Sequence, residues 1–292
     1  MIETFVAQSR HVVGAGPLTL EVFWPDSDGE PADITTNTAT YSVADADGTE
    51  LQSGSASVDL TAVGRATLAL NASLTTRPRW LTVTWTRDDG AVRTSTHELV
   101  GGVYFTLGQA RAEEGGMHNP TTYPDEFIRR ARDAAERECE EICEVAFVPR
   151  FARVRLDGTG RDELVTDHPR IRQLLSITED GVAWSADEVA AVIVEDAILR
   201  LDSGYWTPGR GRFVAEYLHG WDRPPADMLT AHLRRAKYGL DATESKVPVG
   251  AFSTVLPGGQ QITLQRPEAK RTGDQTVDAI YARHSDDTPG FG

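Results

Sequence analysis

The stretch "YPDEFIRRARDAAERECEEICEVAFVPR", residues 123–150, sets a helical period in the middle of the chain. Thr122 with Asp125 gives an N-cap signal, and Pro124 suits a first helical turn. Apolar residues then recur at spacings of three, four and seven, which predicts one amphipathic helix of about five turns. Pro149 forbids its continuation. The predicted apolar stripe consists of Phe127, Ile128, Ala131, Ala134, Ala135, Cys139, Ile142, Cys143 and Ala146.

Cys139 and Cys143 are the only cysteines of the chain. A zinc site needs about four ligands, and cysteine-based sites usually combine two ligand pairs. Because this single pair lies inside the stripe, we expect both thiols to pack as small hydrophobes, with a metal or redox role as the less favoured alternative. The neighbouring glutamates are expected mostly on the solvent side: Glu136, Glu140, Glu141 and Glu144.

Residues 1–107 have the period of a β domain. "LTLEVFW" (18–24) alternates apolar and other residues, and "WLTVTW" (80–85) does the same, as half-buried strands do. Asp-Gly pairs at 47–48 and 89–90 supply the positive φ of tight hairpins. Short strands at this spacing predict an immunoglobulin-like β-sandwich, whose last strand runs through "HELVGGVYFTL" (97–107).

After a polar segment at 108–121, expected to be a linker, the chain predicts an α+β arrangement. Residues 122–242 are expected to form a mainly α-helical domain with short β-strands, and residues 243–292 an extended C-terminal arm. The helical evidence is the stripe and "RPPADMLTAHLRRAKYGL" (223–240). Strands are predicted at "FARVRLDG" (151–158) and "IRQLLSITEDG" (171–181). The apolar run "VAAVIVEDAILRLDSG" (189–204) is ambiguous between helix and strand, and we favour strands for Ile198–Leu201 and "RFVAEYLHGW" (212–221).

The charge and hydropathy of the chain exclude several classes of function. Its 292 residues carry a formal net charge of −15, spread over both halves, which is the opposite of a free-standing nucleic-acid binder. No apolar run approaches the roughly 20 residues that span a membrane. The N-terminus lacks the pattern of a secretory signal, and two cysteines make no disulfide framework. We therefore expect a cytoplasmic or assembly-stage protein.

The residue types that carry chemistry are scattered. The seven histidines follow no metal-binding spacing, and we expect each to be at the surface or locally bonded. Ser203 has no GxSxG context, and "TPGRGRF" (207–213) lacks the lysine of a P-loop. We expect that segment to form a loop, with Arg210 and Arg212 available to a partner or phosphate as the alternative. No catalytic, cofactor-binding or metal-ligating residue is predicted, and no enzyme.

The order of these segments resembles a known family. Residues 123–150, then "HPRIRQLLSI" (168–177), then "FVAEYLHGWDRPPADMLTAHLRRAKYGL" (213–240) and "RTGDQTVDAIYARHS" (271–285) are similar to segments of phage head–tail connector proteins. These are the head-completion adaptors of long-tailed double-stranded DNA phages. The family has nothing like residues 1–107, which resemble the immunoglobulin-like modules of phage structural proteins.

The resemblance implies structural work in the virion, at the head–tail junction, after assembly in the host cytoplasm. Members form a homo-oligomeric ring of about twelve subunits on the portal protein. They extend the DNA channel towards the stopper or tail-completion protein. Double-stranded DNA passes through the lumen without sequence-specific binding, and no membrane or cofactor is involved. An acidic chain suits a channel that must later release its DNA.

Two alternatives belong to other classes of function. A tail or baseplate protein would bind a carbohydrate or receptor through exposed aromatic side chains of the β domain, for which Trp24, Trp80 and Trp85 are the candidates. An enzyme would need a deep pocket into which Asp, Glu or His side chains converge.

Overall fold

The computed structural model describes residues 7–25, 30, 32, 34, 38–59, 64–244, 253–255, 261–263 and 271–285. Strands make up 38% of the structure and helices 26%. The expected fold class, a β-sandwich followed by a mainly α-helical domain with an extended tail, is therefore wrong. The strands of the second half account for most of the difference, because they form extensive sheets of their own.

The N-terminal strands form one seven-stranded sheet. They are β1 (Ala7–Val12), β2 (Thr19–Phe23), β3 (Ala39–Ala44), β4 (Glu50–Val58), β5 (Arg65–Ala69), β6 (Arg79–Arg87) and β7 (Val92–Val100). Their order is β1-β7-β6-β3-β4-β5-β2. Neighbours are antiparallel except β1 and β7, which run parallel. The chain leaves the sheet at Val100, so the strand expected to reach Leu107 ends earlier.

This sheet curls around its own core. Leu20 of β2 and Trp85 of β6 belong to one buried cluster although the two strands are four positions apart in the sheet. The bend lies in β4, which pairs with β3 up to Ala56 and with β5 through Ser57 and Val58. A single curled sheet thus replaces the expected sandwich of two sheets. The predicted alternation is confirmed, since these side chains are buried: Leu20, Val22, Trp24, Leu81, Val83 and Trp85.

The second group of strands forms two smaller sheets. They are β8 (Arg150–Gly158), β9 (Glu163–Val165), β10 (Ile171–Glu179), β11 (Val182–Ala183), β12 (Val192–Glu195), β13 (Ile198–Leu201) and β14 (Gly209–His219). The orders are β11-β10-β14-β8 and β12-β13-β9, with antiparallel neighbours. The four strands expected in this region are confirmed as β8, β10, β13 and β14, which resolves the ambiguous run at 189–204 into the end of a short helix (Ala186–Ala190) and the strands β12 and β13.

The helices are α1 (Leu107–Arg111), α2 (Asp125–Cys143), α3 (Ala186–Ala190), α4 (Ala226–Glu244) and α5 (Gln275–His284). The predicted α2 and α4 are confirmed. However, α2 begins after Pro124, not at a Thr122 cap, and ends where Glu144 takes a left-handed φ of 58°, before Pro149. The expected linker contains α1, and the expected extended arm contains α5 besides the short paired strands β15 (Ser253–Val255) and β16 (Gln261–Thr263).

The chain divides into two compact units. The β unit is drawn from Met1–Gly102 and Pro149–His219, and the helical unit from Val103–Val148 and Gly220–Gly292. Gly220 opens the return into the helical unit with a φ of +94°, and a Cβ there would lie 2.6 Å from the carbonyl oxygen of Val148. No helix in the described part of the chain is long and apolar enough to cross a membrane.

Candidate functional site

The core of the helical unit brings together residues that are far apart in the chain. Helices α2 and α4 are joined by a two-pronged ion pair, in which Nε and Nη2 of Arg235 lie 2.5 and 2.7 Å from the carboxylate oxygens of Glu138. This carboxylate raises the pKa of Arg235. Arg234 contacts Asp274 at 2.5 Å, and Asp274 caps the first turn of α5. The geometry therefore fixes α4 between the other two helices.

Tyr104 and two carboxylates of α2 form a polar network inside this unit. The backbone N–H of Tyr104 donates to Oε1 of Glu136 at 2.8 Å, and its hydroxyl donates to Oε1 of Glu140 at 2.8 Å. The same hydroxyl accepts the backbone N–H of Phe147 at 3.0 Å. Glu136 is fully buried, so its expected position on the solvent side is wrong. Glu136 lies three residues before Cys139, a spacing that places both side chains on the same face of α2. This spacing indicates the position of Glu136 better than its charge does.

His232 is buried against the same network. Its Nδ1 lies 2.6 Å from the carbonyl oxygen of Met228, so the N–H of this nitrogen donates and Nε2 carries the lone pair. The ring lies edge-on to Tyr104 at 4.4 Å. Burial lowers the pKa of His232 to about 4, which keeps it neutral near pH 7. His232, His97 and His219 are buried and not at the surface. The other half of the expectation, a local bond, is confirmed for His232 with Met228 and for His97 with Ser95.

The two cysteines lie where the stripe predicts them. Cys139 and Cys143 are 0% and 1% exposed, and their Sγ atoms are 3.7 Å apart. The thiol of Cys143 is 3.7 Å from the carbonyl oxygen of Tyr281 on α5. Burial raises the pKa of the Cys139 thiol, with Cys143 adding to the effect. A protonated, buried thiol is a weak nucleophile and a poor ligand, so packing in the core is confirmed.

We expect replacement of both cysteines, Cys139→Ala with Cys143→Ala, to lower the free energy of unfolding by about 2 kcal/mol through lost packing and to leave assembly intact. Urea denaturation followed by circular dichroism measures the first effect. The exposed Glu141→Ala on the same helix is the matched control and should change stability little. Stoichiometric zinc in the purified wild-type protein would contradict this interpretation.

A cavity of about 460 Å³ lies between the end of α2 and α5. Cys143, Glu144, Arg271 and Asp278 contribute to its wall. Oδ1 of Asp278 already accepts the backbone N–H and the hydroxyl of Thr272, at 2.8 and 2.7 Å. The cavity wall thus carries two carboxylates and one guanidinium group, and one of the carboxylates is already hydrogen-bonded within the wall.

A second polar network lies in the β unit, between the parallel strands β1 and β7. The indole N–H of Trp85 donates to Oγ of Ser95 at 3.1 Å, and Ser95 lies 2.8 Å from Nε2 of His97. Ser9 lies 2.6 Å from Nδ1 of His97 and 2.9 Å from Nε2 of His11. A chain of hydrogen bonds directed one way satisfies these distances: Ser95 donates to His97, His97 to Ser9 and Ser9 to His11, or each bond runs in the opposite sense.

That chain requires both histidines to be neutral. Burial lowers the pKa of His11 to about 4 and that of His97 to about 3, and the neighbouring His11 adds to the effect on His97. The serine–histidine distances are short enough for proton transfer. However, the donor and acceptor atoms of these serines and histidines are already hydrogen-bonded to one another. Sequence reasoning missed this network, because Ser9 and His97 are 88 residues apart.

The described residues contain no group of three or more His, Cys, Asp or Glu side chains placed to hold a metal ion. No protein-family model matches this chain, and no curated protein matches it at a significant level. Interpretation of the function therefore rests on the residues and their geometry.

Proposed function

We propose that this chain belongs to the class of structural assembly proteins, which act by binding other subunits, and not to a class of enzymes. Within that class, its segments favour a head–tail connector of a long-tailed double-stranded DNA phage. It would form a ring of about twelve subunits on the portal protein, extend the DNA channel, and present a platform to the stopper or tail-completion protein.

One observation carries this proposal. Three of the segments that resemble connector proteins, at 123–150, 213–240 and 271–285, contribute the three long helices α2, α4 and α5, which pack together. Cys139, Met228 and Val277 from the three helices share one buried cluster. Segments that are similar to one family and also build a common core are expected to act as a unit.

The charge of the chain supports the same function. A net charge of −15 repels DNA, so a lumen built from this chain would let DNA slide and leave. The tail or baseplate alternative has less support. Trp24 and Trp85 are 2% and 0% exposed and belong to the core of the curled sheet, where no carbohydrate can stack on them. Trp80 alone of those three candidates is partly exposed.

Electron microscopy of the chain mixed with the portal protein of the same phage tests the proposal. We expect closed rings coaxial with the portal, because ring-forming subunits meet through one repeated heterologous contact. Portal alone and chain alone are imaged in parallel. A chain that stays monomeric at all concentrations and makes no portal contact would refute the proposal.

Two matched variants locate the contact. The variant Arg235→Glu places a second negative charge beside Glu138. We expect the repulsion to separate α2 from α4 and so to abolish portal binding. Arg200→Glu makes the same charge change at an exposed pair in the β unit and should leave binding intact. Glycan binding by the full chain, together with loss of the portal contact, would favour the tail or baseplate alternative.

A further inference from the structure

The ends of β8 and β14 and the adjoining loops form one exposed structure, which we call the loop tip and define as residues 158–161 and 205–211. Gly158 ends β8 and pairs with Gly209, the first residue of β14, so the loop expected at 207–213 is wrong from Gly209 onwards. The backbone N–H of Gly160 donates to the carbonyl oxygen of Trp206 at 2.8 Å. The backbone N–H of Trp206 donates in turn to the carbonyl oxygen of Arg161 at 2.7 Å. The two loops are therefore joined to each other in a fixed register.

The loop tip stands on a rigid aromatic base. Trp206 is 1% exposed, stacks on Trp184 with ring centroids 5.3 Å apart, and meets Phe213 edge-on at 5.1 Å. Gly158 lies so close to the other loop that a Cβ there would be 1.8 Å from the carbonyl oxygen of Thr207. A surface held in one conformation in advance loses little entropy when it binds a partner.

Three side chains of the loop tip extend into solvent. Tyr205 is 74% exposed, and Arg161 and Arg210 are also exposed. In the described part of the chain neither of these arginines has an ion-pair or side-chain hydrogen-bond partner, whereas nearby Arg212 contacts Glu179 at 2.9 Å. Tyrosine and arginine are the residue types that most often dominate the binding energy of protein interfaces.

The charge balance of the chain identifies the partner. With 44 acidic against 29 basic residues, the surface of any second copy is predominantly acidic. We propose that the loop tip docks on an acidic surface of the next copy in the ring, with Tyr205 as the apolar anchor and Arg161 and Arg210 as the charged flanks. This inference rests on the proposed function, because a ring needs a heterologous contact between unlike surfaces.

The double variant Arg161→Glu with Arg210→Glu tests the proposal. Both side chains are exposed, so the fold should tolerate the change, and circular dichroism checks this. We expect the protein concentration at which half the subunits enter rings to rise at least about tenfold, in sedimentation velocity with and without the portal. Raising the salt concentration should weaken rings of the wild type and have less effect on the variant.

The matched control is Arg77→Glu with Arg223→Glu, an equal charge change at two exposed arginines outside the loop tip. It should form rings at nearly the wild-type concentration. If the loop-tip variant assembles like this control, the inference is overturned while the proposed function stands. If the wild type forms no ring with or without the portal, both fail.

A contact with DNA phosphates is the competing outcome. It predicts that fluorescent double-stranded DNA binds the wild type, that Arg161→Glu with Arg210→Glu abolishes this binding, and that rings form unchanged. Tyr205→Ser separates the two interpretations further. It should weaken rings under our proposal, but weaken DNA binding only if the loop tip contacts DNA.

Discussion

Replacing Glu98 by alanine should lower the free energy of unfolding by about 3–5 kcal/mol. The carboxylate of Glu98 lies 2.8 Å from Nε of Arg10 and 3.6 Å from Nη1 of Arg150. The three side chains are only 4–8% exposed. Removal of Glu98 takes away the carboxylate that lies beside both buried guanidinium groups and offsets part of their desolvation. The three residues stand on β7, β1 and β8, so the variant also weakens the link between the seven-stranded sheet and β8.

Urea denaturation measures this loss. The matched control is Glu195→Ala, which breaks the exposed pair with Arg200 and should change stability by less than about 1 kcal/mol. A triple variant, Arg10→Met with Glu98→Leu and Arg150→Met, should recover most of the loss, because apolar side chains of similar volume need no counter-charge. A Glu98→Ala protein within about 1 kcal/mol of the wild type would show that water compensates the arginines.

The local structure of this chain was largely predictable. Alternation predicted β2, β6 and β8, and the spacing of apolar residues predicted α2 and α4. Strands were also expected at β10, β13 and β14, although periodicity alone could not distinguish helix from strand in the short apolar run that contains β13. Two Asp-Gly pairs marked hairpin turns correctly, since Gly48 and Gly90 take φ values of +88° and +85°. Asp157-Gly158 did not, because Gly158 is the last residue of β8 and pairs with Gly209. These signals are local, because side-chain period and turn conformation depend on neighbours within a few residues.

The partners of each strand were not predictable in the same way. The parallel pairing of β1 with β7 joins residues about 88 positions apart, and nothing in either segment specifies that register. The curl of the sheet depends on β4 changing partners, which alternation does not encode. The strands of the second half were predicted one by one, but their pairing into a four-stranded and a three-stranded sheet was not, because it joins segments distant in the chain.

The polar residues of the interior were missed for a different reason. Charge and hydrogen-bonding capacity favour an exposed position only when no partner is available inside. Glu136 is buried because the backbone N–H of Tyr104 meets it, and His97 because two serines do. For Glu136, the helical spacing predicted the position better than the charge did. For Phe127, the same spacing predicted burial wrongly, since that side chain is 49% exposed.

The register that buries Glu98 also buries His97 on the opposite face of β7. Since Ser9 pairs with His97 and Arg10 with Glu98, one parallel alignment creates both polar clusters. In the His97 cluster, a histidine that is neutral in the core must resist a proton that the unfolded chain accepts.

Acidification from pH 7 to pH 5 should therefore destabilise the protein through its buried histidines. The folded pKa values of about 4 for His11 and about 3 for His97 lie below the unfolded value of about 6.5. Stability is complete above pH 6.5 and falls by up to about 1.4 kcal/mol per pH unit for each histidine, until the pH reaches the folded pKa. His232 in the helical unit acts in the same sense.

The variant His97→Gln separates this effect from general acid denaturation. Glutamine can still hydrogen-bond Ser9 and Ser95 but binds no proton, so the loss between pH 6.5 and 5 should shrink by about 2 kcal/mol. The exposed His118→Gln should keep the wild-type dependence, in urea titrations at each pH. If the free energy of unfolding falls equally in the wild type, His97→Gln and His118→Gln, the histidine network takes up its protons without unfolding. The expected difference instead ties acid sensitivity to β7, where His97 pairs with Ser9 of β1 on one side and with Leu81 of β6 on the other.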